Sequence, residues 1–136
     1  MAYPKLSFEE MMEQLQALAD PAALESQKRF GITAAAPLGI SMPRLLQLSR
    51  GQRDHELARQ LWQTGFHEAR ILASLVDELP LVTRAQMERW VLDFDSWDVC
   101  DQVCGNLFDQ PPLRLTWPWN GRHAPRGNLC GRPASC

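Results

Sequence analysis

No stretch of this chain approaches the roughly 18 consecutive apolar residues that a membrane-crossing helix requires. The opening residues, Met1-Ala2-Tyr3-Pro4-Lys5, lead into an acidic amphipathic segment and not an apolar one, so a signal peptide is not expected. A cytosolic location follows as the expectation. Nothing in residues 1–110 sustains the period-two alternation of a half-buried strand, which excludes a sheet protein. A glycine-rich phosphate loop is missing too: Gly31 and Gly39 are isolated, and no Gly-Lys-Ser/Thr follows either. There is no nucleophile elbow.

Metal chemistry is equally short of ligands. His67-Glu68-Ala69-Arg70-Ile71 begins like a zinc-protease helix, but Ile71 stands where a second imidazole must share the face. His55-Glu56-Leu57-Ala58-Arg59 fails in the same way. Both segments read as solvated helix faces carrying Glu–Arg neighbours such as Glu56 and Arg59. The four cysteines (Cys100, Cys104, Cys130, Cys136) lack the spacing of a zinc ribbon or finger. In a reducing compartment they default to free thiols, with Cys100 and Cys104 as small core residues. No metal and no cofactor is expected.

At 136 residues, 45% hydrophobic and 22% charged, the chain is one soluble globular domain by size and composition. Its charge is unevenly placed. Residues 111–136 hold Arg114, Arg122, Arg126 and Arg132 and no acid, so the net charge of −2 becomes −6 for residues 1–110. An acidic body holds a polyanion poorly unless its basic residues gather on one face.

What the chain has is helical periodicity. Ser7-Phe8-Glu9-Glu10 matches a capping box, and Phe8, Met11, Met12, Leu15 and Leu18 follow at helical spacing, predicting a helix over 8–19. Asp20-Pro21 restarts the chain as cap and first helical residue, and Phe30-Gly31 is the expected stop. Thr33 to Gly39 reads as a loop. Ser41-Met42-Pro43 opens a short helix through Leu45, Leu46 and Leu48. Asp54 caps a helix with Leu57, Ala58, Leu61 and Trp62 inward and Gly65 beyond its end. The next runs from His67 to Asp77 with Ile71, Leu72 and Leu75 at core spacing, and Pro80 marks its exit. Thr83-Arg84-Ala85-Gln86 is a second capping box, with Met87, Trp90, Val91 and Phe94 following at i, i+3, i+4 and i+7. The last helix runs from Ser96 to about Phe108. Helices of this length joined by short turns predict an all-α fold of stacked antiparallel helical pairs.

After Gln110 the period vanishes. Pro111-Pro112 ends the helix, and the Pro-, Arg- and Gly-rich remainder reads as an irregular, disordered tail. Residues 1–110 are therefore the expected helical domain and 111–136 the tail.

One stretch stands out for its chemistry: Asp93-Phe94-Asp95-Ser96-Trp97-Asp98-Val99-Cys100-Asp101. With Ser96 as N-cap, Trp97 and Asp101 fall four apart on one helical face, apart from the Cys100, Cys104 and Leu107 stripe. An aromatic plate beside a carboxylate suits a cationic ligand. The helix macrodipole accounts well for Asp98, partly for Asp95, and less well for Asp101, which lies beyond the first turn.

These residues, with Gly39-Ile40-Ser41-Met42-Pro43-Arg44-Leu45, Leu61-Trp62, His67-Glu68-Ala69-Arg70-Ile71-Leu72-Ala73 and Trp90, make the chain resemble the DNA alkylation repair family of HEAT-like-repeat DNA glycosylases (AlkD-like) from about residue 26 to 109. The resemblance implies an α–α superhelix that grips duplex DNA containing alkylated bases and hydrolyses the N-glycosidic bond of cationic alkylated purines. Carried over by motif, Asp101 matches the catalytic aspartate and Trp97 the stacking tryptophan, with Asp98 a supporting residue behind them. Arg44, Arg59 and Arg70 are the candidates for the DNA backbone. Family members continue helically where this chain turns to its tail, so the superhelix is expected to be incomplete and the chain a truncated or frameshifted copy.

Three further expectations follow. DNA binding and glycosylase activity of the chain by itself should be weak or absent, given its acidic body. A non-catalytic helical-repeat module binding protein or DNA is the alternative. The last helix would lack a stacking partner, exposing Trp90, Phe94, Leu107 or Phe108 and favouring self-association through that end of the stack.

Overall fold

The computed structural model describes residues 4–29, 37–94 and 97–108, and every regular element among them is helical. The all-α expectation holds. Helix α1, Phe8–Leu18, opens on a complete capping box: Ser7 Oγ accepts the Glu10 N–H at 3.2 Å, and Glu10 Oε1 accepts the Ser7 N–H at 3.3 Å. Its apolar stripe buries Met11 and Leu15 completely. Helix α2, Pro21–Arg29, follows Asp20, whose carboxylate accepts the Ala22 N–H at 2.9 Å. The expected stop at Phe30-Gly31 lies outside the described residues.

Helix α3 spans Met42–Ser49 and α4 spans His55–Gln63. The Asp54 carboxylate caps α4, accepting from the Glu56 and Leu57 N–H groups at 3.0 and 3.2 Å. Gly65, at φ +80°, turns the chain into α5, His67–Val76. A single 3-10 turn at Leu79–Leu81 leads to α6, Arg84–Leu92. Thr83 makes half of its capping box, accepting the Gln86 N–H at 3.1 Å. The other half, in which the Gln86 side-chain oxygen would accept the Thr83 N–H, is not made: the Gln86 amide turns to the buried Asp77 carboxyl, to which its Nε2 donates at 2.7 Å. Helix α7, Trp97–Val103, continues into a π-helical turn at Cys104–Phe108 where an unbroken α-helix was expected. In that turn Asn106 Nδ2 donates to both Gln102 Oε1 and Ser74 Oγ, each at 3.2 Å, fastening it to α5. The expected N-cap Ser96 and the tail of residues 111–136 lie outside the described residues.

Helix α5 is the centre of the structure. It pairs with α4 as an antiparallel hairpin, shown by the Asp54 N–H bonding the Val76 carbonyl at 2.9 Å, and it also packs against α3 and α7. Consequently His67, Glu68, Ala69, Ile71, Leu72, Ala73, Ser74 and Val76 are all buried. The reading of His67 and Glu68 as a solvated face is overturned. Glu68 reaches out of α5 to accept the Leu38 N–H at 2.7 Å and the Gly39 N–H at 3.2 Å. The loop it holds is tight: Gly39 has φ +78°, and a Cβ there would stand 2.2 Å from the Asp20 carbonyl oxygen. Asp20 in turn donates its N–H to Leu38 O at 3.0 Å. One buried carboxylate thus ties the segment before α3 to the central helix.

A second correction concerns the end of the stack. Trp90, Phe94 and Leu107 are 3%, 8% and 0% exposed, not open to solvent, because Trp62 of α4 covers the two aromatics. The Phe108 side chain lies outside the described residues. The large apolar side chains that are exposed, Leu46, Leu81 and Leu92, sit on separate elements, so the expected surface for self-association is not seen among the described residues. Cys100 is buried as expected and is not in a disulfide, whereas Cys104 is disulfide-bonded, a pairing that composition does not foresee. No described helix is long and apolar enough to cross a membrane.

Candidate nucleic-acid interface

Two polar stripes face each other across a cleft of about 410 Å³. On α4 the stripe is His55, Arg59 and Gln63, spaced four apart so that all three share one side of the helix. On α6 it is Gln86, Arg89 and, just past the helix end, Asp93. The helices meet through their tryptophans. The rings of Trp62 and Trp90 stack with centroids 4.1 Å apart and planes 2° from parallel, and Phe94 tilts against Trp62 at 6.1 Å. Each indole is only 3% exposed, so the pair forms the floor of the cleft and keeps almost no surface for a ligand.

Polar bonds secure that floor. Trp62 Nε1 donates to Asp93 Oδ2 at 2.8 Å. Arg70, projecting from α5, lies 5.2 Å from the Trp62 ring centre, a cation–π distance. Its Nη1 donates to the Asp93 carbonyl at 3.0 Å and its Nε to the Trp62 carbonyl at 3.4 Å. Arg70 therefore links the ends of α4 and α6.

At the other end His55 is oriented by Asp77, which is fully buried; His55 Nδ1 lies 2.7 Å from Asp77 Oδ1. The same carboxyl group accepts the Glu78 N–H at 2.7 Å and the Gln86 amide at 2.7 Å. Burial pushes the Asp77 carboxyl above its ordinary value of 3.8, outweighing the lowering by His55, Gln86 and Glu78. With Asp77 accepting at Nδ1, the imidazole presents Nε2 away from the carboxylate.

Of the expected site residues, Arg59 and Arg70 line this cleft. Arg44 is exposed on α3. Asp101 is exposed on α7, one turn after Trp97, while Val99, Cys100 and Val103 of the same helix are buried. Trp97 and Asp98 occupy the first two positions of α7, and their side chains lie outside the description. The cleft therefore gathers two of the expected arginines, and Asp101 belongs to a different helix. His55, Arg89 and Asp93 were not anticipated in the cleft. The i, i+4 pattern of His55 and Arg59 was available as a signal; the pairing of that stripe with Arg89 was not. Among the described residues, no group of three or more His, Cys, Asp or Glu side chains is placed to hold a metal ion.

Fold and site together define an all-helical protein built around the α4–α5 hairpin, with an arginine-lined, aromatic-floored cleft. Residues 11–111 match the family model described as DNA alkylation repair enzyme, and the chain belongs to that family. No curated protein and no solved structure matches it. Membership implies a role in DNA alkylation repair, with DNA as the partner.

Proposed function

We propose that this protein is a DNA glycosylase that hydrolyses the N-glycosidic bond of cationic alkylated purines in duplex DNA, its helical pairs stacking as HEAT-like repeats. The observation that carries this reading is Asp101: an exposed carboxylate one turn into a helix whose neighbouring positions, Val99, Cys100 and Val103, are committed to the core. Breaking the glycosidic bond builds oxocarbenium charge on the sugar as a neutral base departs. A fixed carboxylate stabilises that charge and orients the attacking water. Trp97, at the start of the same helix, offers an aromatic face to the cationic nucleotide, an attraction of about 0.5–2 kcal/mol. Asp98 supports them from the second helical position, where the macrodipole favours a carboxylate. Arg44, Arg59 and Arg70 are assigned to the DNA backbone. No cofactor enters this chemistry.

The net charge of −6 on residues 1–110 weakens DNA binding and supports a second reading, a helical-repeat module that binds protein or DNA without catalysis. Release of alkylated purine from damaged duplex separates the two. The glycosylase reading expects slow release above the uncatalysed background, falling to background in Asp101→Asn. Equal, background-level release from both proteins leaves the binding module as the function.

A further inference from the structure

We infer that Asp93, the residue that ends α6, is a positioning residue for α7: held by Trp62 and Arg70, it sets where the helix carrying Trp97 and Asp101 begins. The inference rests on the glycosylase reading, in which Asp101 faces the reacting sugar, and it adds a residue that acts through another and touches no substrate. Three observations lead to it.

First, Asp93 is gripped by both its side chain and its backbone. Its Oδ2 accepts the Trp62 indole N–H of α4 at 2.8 Å, and its carbonyl accepts Arg70 Nη1 of α5 at 3.0 Å. Arg70 Nε donates to the Trp62 carbonyl at 3.4 Å, so the three residues close a ring of hydrogen bonds across α4, α5 and the end of α6. A carboxylate at a helix C-terminus works against the helix dipole. At Asp93 the indole N–H offsets that cost, so the carboxylate serves the contact to α4 and not α6 itself.

Second, the joint lies close to α7 along the chain. Phe94 is 8% exposed and tilts against Trp62 at 6.1 Å, and its N–H bonds the Val91 carbonyl at 3.2 Å. Helix α7 starts at Trp97, and the three residues from Phe94 to there span at most about 11 Å. Asp101 stands one turn further on, about 6 Å along the axis. A shift at Asp93 therefore has little chain in which to dissipate before it reaches the Asp101 carboxylate.

Third, the buried side of α7 fixes its depth more than its position along or about the axis. Val99, Cys100 and Val103 are buried on the helix that packs against α5, and apolar burial is non-directional. Directional bonds act at the two ends. Beyond α7, Asn106 donates to Ser74 Oγ at 3.2 Å; before it stands the ring of Trp62, Arg70 and Asp93.

The full chain is compared with Asp93→Ala, which removes the acceptor, and with Asp93→Asn, which keeps an oxygen for the indole N–H while losing the charge. Three quantities are read: backbone amide hydrogen exchange, affinity for an alkylated duplex, and the single-turnover rate of purine release at saturating protein. In Asp93→Ala the α7 amides should exchange about 5-fold to 10-fold faster, the factor that loss of one hydrogen bond implies, with α1 unchanged. Release should slow by about 10-fold or more, since a small misplacement caused far from the reacting atoms is enough for that. Affinity should not fall, because no cation leaves the cleft. Asp93→Asn should recover most of the exchange protection and most of the rate, a rescue that separates the bond from the charge. Unchanged α7 exchange in Asp93→Ala, or equal acceleration in α1 and α7, would overturn the assignment, the second by showing a general loss of stability. So would release by Asp93→Ala at the rate of an active parent, an Asp93→Asn protein as slow as Asp93→Ala, or a loss confined to affinity. Background release by the parent, with faster exchange confined to α7 in Asp93→Ala, would refute the glycosylase and leave the placement of α7 by Asp93 standing.

Discussion

Removal of Glu68 should cost this fold several kcal/mol by the count of its buried hydrogen bonds, about 3 or more. Its side chain is 1% exposed, and its two oxygens accept the Leu38 and Gly39 N–H groups at 2.7 and 3.2 Å. Replacing it with alanine leaves two backbone donors without these acceptors and opens a small cavity beside α5. A hydrogen bond to a charged group contributes about 1.5–3 kcal/mol, so the pair accounts for about 3–6 kcal/mol. The Leu38 bond is only partly buried, and water recovers some of that loss, which favours the lower end, about 3 kcal/mol. Against a typical domain stability of about 5–15 kcal/mol this is a large fraction. Glu68→Gln keeps one oxygen and turns the other into a donor aimed at a donor, so an intermediate loss of about 1–3 kcal/mol is expected. Urea unfolding of the parent and both variants measures the effect, provided the three transitions share a slope. An alanine variant within about 0.5 kcal/mol of the parent, the range of an ordinary surface substitution, would refute the view that this carboxylate pins the loop.

Two further predictions concern neighbouring groups. Gly39→Ala should destabilise by at least about 1–2 kcal/mol, because it forces a side chain into the left-handed region and toward the Asp20 carbonyl; a thermal transition unchanged from the parent would contradict this. Asp77 holds its proton more tightly when folded than unfolded, so its contribution to stability is full below 3.8 and is lost as pH rises through the raised value. Asp77→Asn should lose less stability than the parent across that interval, and parallel pH profiles of unfolding free energy would show the assignment to be mistaken.

Much of the architecture was visible in local chemistry. Ser7, Asp54 and Thr83 each announce a helix start because a cap acts on backbone groups two or three residues away, and all three accept the bonds expected of them. Core positions such as Leu61, Leu72 and Met87 followed from period alone. What local pattern could not supply was the identity of distant partners. Glu68 looked solvated because Leu38 and Gly39 lie 30 and 29 residues away. Gln86 looked like half of a cap until Asp77 claimed its amide. Trp90 and Phe94 looked uncovered because nothing in their own helix points to Trp62.

The candidate chemistry divides along the same line. Trp97 and Asp101 are four residues apart, so their placement on one helix could be read directly, and α7 begins where that spacing requires. The cleft depends on two helices whose facing stripes lie some thirty residues apart in the chain, joined through Trp62 and Asp93. Arg59 was proposed from charge, but Arg89 needed the packing of α6 to become its counterpart.

The hairpin of α4 and α5 has a consequence for how quickly the chain can find its structure. Its ends are closed by pairs only 22 or 23 residues apart, including His55 with Asp77 and the His55 N–H with Glu78 at 3.1 Å. The N-terminal segment instead returns across 46 to 48 residues, through Gln52 to Leu6 and Pro4. Short-range closure costs less chain entropy, and folding speeds up as native contacts become more local. The central hairpin is thus the part of the molecule best suited to assemble first and offer its surface to α3, α7 and the N-terminal strap, so the residues that bury α5 also set the order in which the remaining helices can dock.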